Sequence, residues 1–380
     1  MKKWKRALTV LLAVTMTMCL LAVWGGKQQA KADEKIRIGL MSFDWTSLVA
    51  ASMLDYCNNY LADAFNIEFT TYTCGFDNNS VISTVENMIT AGEDGLILTV
   101  SSGIVEVDKI CHEAGVPFAL VMGIPTIAER ELLKDTVSPE FVLCLHAETD
   151  PGVSGAHMAQ VMLDKGYTHC AVISTPPGMI EAGDMEDQGF ITTFTENGGV
   201  IVDEKREIPG PAMITAADTI LATHGSEIDF MYGLLDIIQS IVTDPKYADL
   251  GIKIVSNELP SDGGVSMFES GALEFCHAKI PAEAAFAVAA IINYLNGEDY
   301  PDSPGYKDVE QPYTDIYSAE DCDLFLKITD GKDGYEPAWT VDEVKSLILA
   351  ENPDVTYAQF VELAQSCQID DICARHGYER

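Results

Sequence analysis

The sequence contains few basic residues and none of the common catalytic motifs. Lysine and arginine number 23 against 59 aspartate and glutamate residues, so the chain of 380 residues has a formal net charge of −36 at pH 7. A surface this acidic repels the phosphates of nucleic acids and anionic lipids, and we expect no nucleic acid among its partners. The Gly-x-Ser-x-Gly and His-Glu-x-x-His motifs are missing, as is a phosphate-binding loop. The sequence therefore predicts a protein that is not an enzyme and has no catalytic residues.

The cysteines show no metal-binding pattern. None of the ten lies in a Cys-x-x-Cys pair. Nine lie after residue 32, and an odd number cannot all form disulfides. Cys367 and Cys373 are the only close pair, and their spacing is compatible with either a local disulfide or two free thiols.

Two histidines and two acidic residues lie close together in the sequence between positions 146 and 157. His146, Glu148 and Asp150 end a predicted strand, and His157 lies in the helix that follows. Nothing in this spacing defines the coordination geometry that a metal ion requires. We therefore predict no metal site and no cofactor.

The first 32 residues have the composition of a signal peptide. Four basic residues between positions 2 and 6 precede an apolar run at 7–24, and alanines at 30 and 32 suit a signal peptidase. We expect cleavage after Ala32 and an exported chain, in the periplasm or on the outer face of the cytoplasmic membrane. Because the apolar run is at the lower limit for a membrane span, an uncleaved anchor is the alternative.

Beyond this segment, predicted strands and helices alternate in two similar series. Residues 36–122 contain four apolar strands separated by three helices, and residues 170–278 repeat the pattern over a similar length. Strands that alternate with helices form parallel sheets with right-handed crossovers. We therefore predict an α/β fold with two similar doubly wound parallel-sheet lobes joined by crossing strands.

The turn Phe43-Asp44-Trp45 follows the first strand. Open α/β sheets bind ligands at the carboxyl ends of their strands, so this turn is a candidate binding site. The alternative is that the two aromatic side chains only plug the loop. If the turn binds ligand, Trp45→Ala should weaken binding without unfolding the protein.

The order of these elements, with several short motifs, resembles the periplasmic sugar-binding proteins of the ribose- and galactose-binding type. The motifs are IRIGLMSFDW at 36–45, GEDGLIL at 92–98, HEAGVPF at 112–118 and QGF at 188–190. The resemblance covers about residues 35–328. It implies a type I periplasmic binding protein fold, in which a three-segment hinge joins the lobes and closes them over a ligand in the cleft.

The resemblance also implies a division of the chain. It assigns 33–141 and 280–312 to the first lobe, and 142–279 and 313–328 to the second. Residues 329–380 lie outside the resemblance and are predicted to form a C-terminal helical extension.

The function that the resemblance implies is that of an extracytoplasmic solute-binding protein of an ABC importer. Such a protein, expected to be a monomer, captures a small polar ligand, with a sugar as the first choice, and presents it to an ABC permease in the membrane. A sensory ligand-binding module for a histidine kinase or chemoreceptor is the alternative.

The polar residues with which that family usually binds its ligand are replaced in this sequence. Its usual Asp-Arg pair, second-lobe arginine, late aspartate and hinge glutamine correspond here to Met122-Gly123, Glu186 or a neighbour, Asn257-Glu258 and Lys279. A cationic or amino-bearing ligand is therefore an alternative to a sugar.

The candidate ligand-binding residues offer aromatic faces for C–H surfaces and polar groups for hydroxyls. They are Phe43, Asp44, Trp45, Ser101, Ser102, Met122, Glu148, Glu186, Tyr232, Asn257, Glu258 and Lys279. The N–H groups at Ser101 and Ser102 open a predicted helix and are candidates to bind a ligand oxygen. The alternative is that Ser102 is an ordinary N-cap residue of that helix.

Overall fold

A computed structural model describes residues 34–75, 77–233, 235–258, 260 and 263–380. The predicted signal peptide, residues 1–32, lies outside the described residues. Residues 36–380 form one compact unit. No helix among the described residues is long and apolar enough to cross a membrane.

In the part of the chain that the structure describes, twelve strands form two sheets. The strands are β1 (Ile36–Ser42), β2 (Ile67–Thr73), β3 (Gly95–Leu98), β4 (Phe118–Val121), β5 (Phe141–His146), β6 (His169–Ser174), β7 (Val200–Arg206), β8 (Phe230–Gly233), β9 (Lys253–Ser256), β10 (Leu273–Ala278), β11 (Asp308–Glu310) and β12 (Thr314–Ile316). The first sheet has the order β11-β5-β4-β3-β1-β2, and the second β12-β10-β9-β8-β6-β7. Among these described strands, only β12 runs antiparallel to its neighbour. The predicted α/β fold with two doubly wound lobes is confirmed.

Fourteen α-helices of the described residues connect and cover the sheets. They are α1 (Leu48–Tyr56), α2 (Asn78–Ala91), α3 (Ile104–Ala114), α4 (Ile127–Thr136), α5 (Pro151–Asp164), α6 (Glu181–Glu196), α7 (Pro211–His224), α8 (Leu235–Val242), α9 (Gly264–Glu269), α10 (Ala284–Leu295), α11 (Ala319–Asp330), α12 (Val341–Ser346), α13 (Tyr357–Gln365) and α14 (Ile369–His376). Because helices cover both faces, inner strands such as β3, β4 and β5 are buried along their whole length.

The chain passes between the two sheets at three places. These crossings follow β5, β10 and β11. Strand β5 pairs with β4 and β11 in the first sheet, although the predicted boundary after residue 141 assigned most of it to the second lobe. The chain therefore leaves the first sheet only after His146. Strand β11, which is only three residues long, was not predicted.

The C-terminal extension lies against the third crossing. The Thr314 hydroxyl donates to the Cys367 carbonyl at 2.8 Å, and the Gln368 amide donates to the Tyr313 carbonyl at 2.7 Å. The Trp339 ring is 1% exposed and packs against α10. Helices α12 and α13 each begin with a capping box, at Thr340 and Thr356. Cys367 and Cys373 are free thiols.

Replacing Gln368 with alanine should lower the free energy of unfolding by about 1–2 kcal/mol. The substitution removes the side-chain hydrogen bond to Tyr313 and a second one, from the Asp315 N–H to Gln368 Oε1 at 3.3 Å. Urea unfolding measures the change. The matched control is Gln365→Ala on an exposed end of α13, and equal losses in the two variants would contradict the proposed bracing of the crossing.

Candidate functional site

The strands of both sheets end at a cleft of about 1050 Å³. Its lining includes residues 99–103, 122–126, 146–148, 173–175, 232–233, 257 and 279, which follow or end β3, β4, β5, β6, β8, β9 and β10. This is the edge at which open α/β sheets bind ligands. Both lobes therefore contribute to a single concave site.

Nine of the twelve predicted binding residues line this cleft. They are Phe43, Ser101, Ser102, Met122, Glu148, Glu186, Tyr232, Asn257 and Lys279. Asp44, Trp45 and Glu258 are not among the lining residues. The structure thus brings most of the predicted set together, and its role in binding stays a prediction.

The turn after β1 is closed by its own hydrogen bonds. The backbone N–H and the hydroxyl of Thr46 donate to Asp44 Oδ1 at 2.7 and 2.8 Å, and the backbone hydrogen bond is the main cause of a lowered Asp44 pKa. The Trp45 indole N–H donates to the Tyr72 carbonyl at 2.9 Å. Asp44 therefore caps the turn, while Trp45 fastens it to β2, as the loop-plug alternative proposes.

Trp45→Phe should destabilise the protein by about 1 kcal/mol and leave ligand affinity unchanged within about twofold. The substitution removes the bond to Tyr72 but keeps the ring in the loop. Chemical unfolding and ligand titration separate the two effects, with Phe43→Ala as the comparison because Phe43 lines the cleft. A loss of affinity in Trp45→Phe as large as that in Phe43→Ala would show that Trp45 takes part in ligand binding.

Three of the predicted residues form one hydrogen-bonded cluster in the second lobe. Glu186, on α6, is 6% exposed. Its Oε1 accepts from the Tyr232 hydroxyl at 3.0 Å and from the Asn257 amide at 2.6 Å. Burial raises the pKa of Glu186 to about 7, and these two hydrogen bonds oppose part of that shift. The cluster presents a carboxyl group that is poised to accept a hydrogen bond or to share a proton.

A second charged group lies at the hinge. The ammonium of Lys279 is 5.9 Å from the centroid of the Tyr313 ring, which also lines the cleft. Burial lowers the pKa of Lys279, and the Glu283 charge acts against that shift. Burial raises the pKa of Glu283 to about 7, and a hydrogen bond from the Met122 backbone partly offsets the rise. Met122 itself has a left-handed backbone, with φ of 64°, a conformation that is strained for a side chain of this kind and concentrates at functional sites.

The helix start after Ser101 and Ser102 already has an internal carboxylate partner. Helix α3 begins at Ile104, and Glu129 Oε1 accepts from the Ile104 N–H at 3.0 Å. Because Glu129 serves as a cap supplied by α4, the predicted site for a ligand oxygen is in part satisfied by the protein itself. Sequence spacing gives no sign of this contact across two helices.

An arginine lines the cleft, although the positions at which the sugar-binding family has its arginines hold other residues in this sequence. Arg130 lines the cleft and donates from Nη1 to the Thr149 carbonyl at 2.9 Å. The capping box that opens α4 at Thr126 places Arg130 in the first turn of the helix. The capping box is visible in the sequence as Thr-x-x-Glu, and it could have predicted the position of Arg130 in the helix.

Several buried polar atoms at the cleft or beside it have no hydrogen-bond partner among the described residues. They are Arg130 Nε, His146 Nδ1, Glu148 Oε2, His277 Nε2 and Glu283 Oε1. Buried polar groups are nearly always paired in native proteins. The set contains both donors and acceptors, which suits hydroxyl groups because each hydroxyl can do both.

No protein-family model and no curated protein matches the sequence. Solved structures do match. The periplasmic binding protein of an arabinose ABC transporter from a Shewanella species, bound to L-arabinofuranose, is 17% identical, with a TM-score of 0.62 over 78% of this chain and 96% of that one. A solute-binding protein from Actinobacillus succinogenes with D-allose is 17% identical, with a TM-score of 0.62 over 76% and 99%.

A third structure is a solute-binding protein from Bacillus halodurans with myo-inositol. It is 17% identical and has a TM-score of 0.61 over 78% of this chain and 99% of that one. All three belong to ABC transporter systems by their descriptions. At this level of identity, the likeness concerns the fold: the chain has the two-lobe, type I periplasmic binding protein fold.

Proposed function

We propose that this protein is an extracytoplasmic solute-binding protein of an ABC importer, which captures a small polyhydroxylated ligand, a sugar or a cyclic polyol, between its lobes. The observation that carries the proposal is the cleft itself. It lies at the carboxyl ends of both sheets and is lined by buried donors and acceptors from both lobes. The role is capture and delivery, with no chemical step.

The cleft lining contains seven aspartate or glutamate residues and two lysine or arginine residues. Glu148 and Glu186 offer carboxyl oxygens, but Lys279 and Arg130 also line the cleft. A sugar hydroxyl can donate to the carboxyl groups and accept from the cationic ones, which makes a neutral polyol our choice of ligand. The sugars and the inositol held by proteins of the same fold support this choice.

Apolar contacts are available for the C–H faces of such a ligand. Phe43 is 43% exposed at the cleft. Tyr313 and Met122 lie in the lining as well. Aromatic faces of this kind pack against the C–H surface of a sugar ring while the polar groups bind its hydroxyls.

The three crossings supply a mechanism for closure. A ligand that contacts both lobes binds the closed arrangement more tightly than the open one, so it shifts the population towards closure. The closed form would then be recognised by a membrane permease. Export by the N-terminal segment and a monomeric state belong to the same proposal.

A thermal-shift screen tests the proposal. At 100 times its dissociation constant, a bound ligand stabilises the protein by about 2.7 kcal/mol. The panel contains pentoses, hexoses and myo-inositol, with amino sugars, nucleosides and polyamines as the competing classes. A shift with one of the neutral polyols is expected. A shift with polyamines alone would overturn the assigned ligand class, and no shift with any compound would overturn the binding function.

A further inference from the structure

Two groups of histidine, cysteine and aspartate side chains among the described residues are close enough to hold a metal ion. One consists of Cys144, His146 and Asp308, and the other of His157, His277 and Asp315. In each group, one ligand atom from every residue lies within 4.8 Å of the others. Of the four residues considered in the sequence, His146 lies in the first group and His157 in the second, while Glu148 and Asp150 belong to neither.

The second group is assembled by the topology of the second lobe. His277 on β10 and Asp315 on β12 are directly paired across the two antiparallel strands. His277 Nδ1 is 2.7 Å from Asp315 Oδ1, and His157 Nε2, from α5, is 3.1 Å from Asp315 Oδ2. The Tyr317 hydroxyl also donates to Asp315 Oδ2, at 2.8 Å. Two imidazoles therefore flank one carboxylate.

The surroundings of the other ring nitrogen of His277, Nε2, are typical of a metal-bound histidine. His277 is 5% exposed, and its Nε2 has no hydrogen-bond partner among the described residues. The nearest acid is Glu148, whose Oε1 is 3.9 Å from that nitrogen and whose Oε2 is likewise unpartnered. Metal-bound histidines usually direct their second ring N–H towards such a carboxylate, which orients the ring and raises its basicity.

We propose that His157, His277 and Asp315 form a binding site for a divalent transition-metal ion, with Glu148 as the outer carboxylate that orients His277. Two imidazoles and a carboxylate match the ligands of Zn²⁺, which binds nitrogen at about 2.0–2.1 Å and oxygen at about 2.0–2.2 Å. Donor atoms around a tetrahedral ion are then roughly 3.4 Å apart, so small side-chain rotations suffice. Asp315 and Glu148 together balance the charge of the ion.

The other group is a weaker candidate for the same ion. A thiol must lose its proton to bind zinc, and burial strongly raises the pKa of Cys144. The positive charge of Arg130 also acts on this thiol, and it would repel a cation. The His157 side chain, by contrast, is 39% exposed and the Asp315 side chain 26%, which gives an ion a path from solvent.

A bound ion would hold the floor of the cleft. His277 is two residues from Lys279, and Asp315 is two residues from Tyr313, both of which line the cleft. The ion would also fix Glu148 through His277. The site is therefore a structural device that joins α5, β10 and β12 behind the ligand, and its occupancy does not depend on the identity of that ligand.

The test is Zn²⁺ titration of the purified protein after treatment with a chelator, by calorimetry with a competing chelator. We expect one Zn²⁺ per chain. Loss of an outer-shell partner typically weakens metal binding by about 10–100-fold, so Glu148→Gln should fall in that range and His157→Gln should lose about 100-fold or more. His224→Gln, at the surface on α7, is the matched control. Co²⁺ provides a second readout, since its visible absorption reports nitrogen and oxygen ligands directly.

The outcomes are distinguishable. His157 is partly exposed on a helix, so His157→Gln should keep the native circular dichroism spectrum, and the Co²⁺ spectrum of the unaltered protein tests the site even if a variant misfolds. Wild-type affinity in His157→Gln, or a loss confined to His146→Gln, would overturn the proposal. Absence of stoichiometric Zn²⁺ and Co²⁺ binding would do the same.

Discussion

Gly155→Ala should lower the free energy of unfolding by about 3 kcal/mol and displace Glu186 from its hydrogen-bonded cluster. Helices α5 and α6 meet backbone to backbone at this point. A Cβ atom on Gly155 would lie 1.8 Å from the Glu186 carbonyl oxygen, and one on Gly189 would lie 2.0 Å from the carbonyl oxygen of Gly152. Because these neighbours are backbone atoms, the helices themselves must separate, and Glu186 moves with α6.

Gly183→Ala is the matched control for this prediction. Gly183 also lies in α6, but an added Cβ there meets nothing closer than Ile180 Cβ at 3.7 Å. Alanine in a helix is favoured over glycine by up to about 1 kcal/mol, so this variant should be as stable as the parent or slightly more stable. Urea unfolding of the two variants measures the difference in their free energies of unfolding. Similar stabilities for Gly155→Ala and Gly183→Ala would show that the helices can separate without loss.

Glu186→Gln should stabilise the protein by about 3 kcal/mol at pH 8 and have little effect below pH 4.5. The native pKa of Glu186, about 7, exceeds its ordinary value of 4.5, and one pKa unit corresponds to about 1.36 kcal/mol. Between these two values the unfolded chain loses the proton while the native protein keeps it. Stability therefore falls as pH rises through this window. Glutamine stays neutral and keeps the acceptor for Tyr232 and Asn257.

Unfolding free energies measured from pH 4 to pH 8 test this prediction. Glu283 acts in the same direction, since burial raises its pKa to about 7 as well, so the Glu186→Gln protein should retain part of the pH dependence. Glu196→Gln, at the exposed end of α6, is the matched control and should leave the profile unchanged. A parallel profile for Glu186→Gln and the parent would contradict the buried, protonated state.

The lobes could be predicted from the sequence because their strands are buried on both faces. Runs such as β3, β4 and β5 are continuous in apolar residues, and their carboxyl ends then point to the binding edge. The strand ends indicated Ser101, and the resemblance to the sugar-binding family indicated Met122 and Asn257, all of which lie in the lining. It failed for β11, because a strand of three residues has no periodicity to recognise.

The side-chain contacts of the site could not be predicted in the same way. Asp44 and Trp45 have the composition of a binding turn, but local hydrogen bonds to Thr46 and Tyr72 already use their polar groups. The sequence does not distinguish a side chain that hydrogen-bonds to a neighbouring residue from one that is available to bind a ligand.

Contacts between residues far apart in the chain could not be predicted from the sequence either. His157 and Asp315 are 158 positions apart in the chain, and only the pairing of β10 with β12 brings them together. Such clusters follow from topology, and a search of local spacing does not detect them.

The proposed function requires that one ligand contacts both lobes. Calorimetric titration with the polyol that gives the largest thermal shift tests it most directly, on the parent protein, Phe43→Ala in the first lobe and Asn257→Ala in the second, with Trp45→Phe as the control outside the cleft. We predict that each cleft variant loses affinity by about tenfold or more, equivalent to about 1.4 kcal/mol, while the control stays within about twofold. Full affinity in either cleft variant would contradict a ligand held between the lobes.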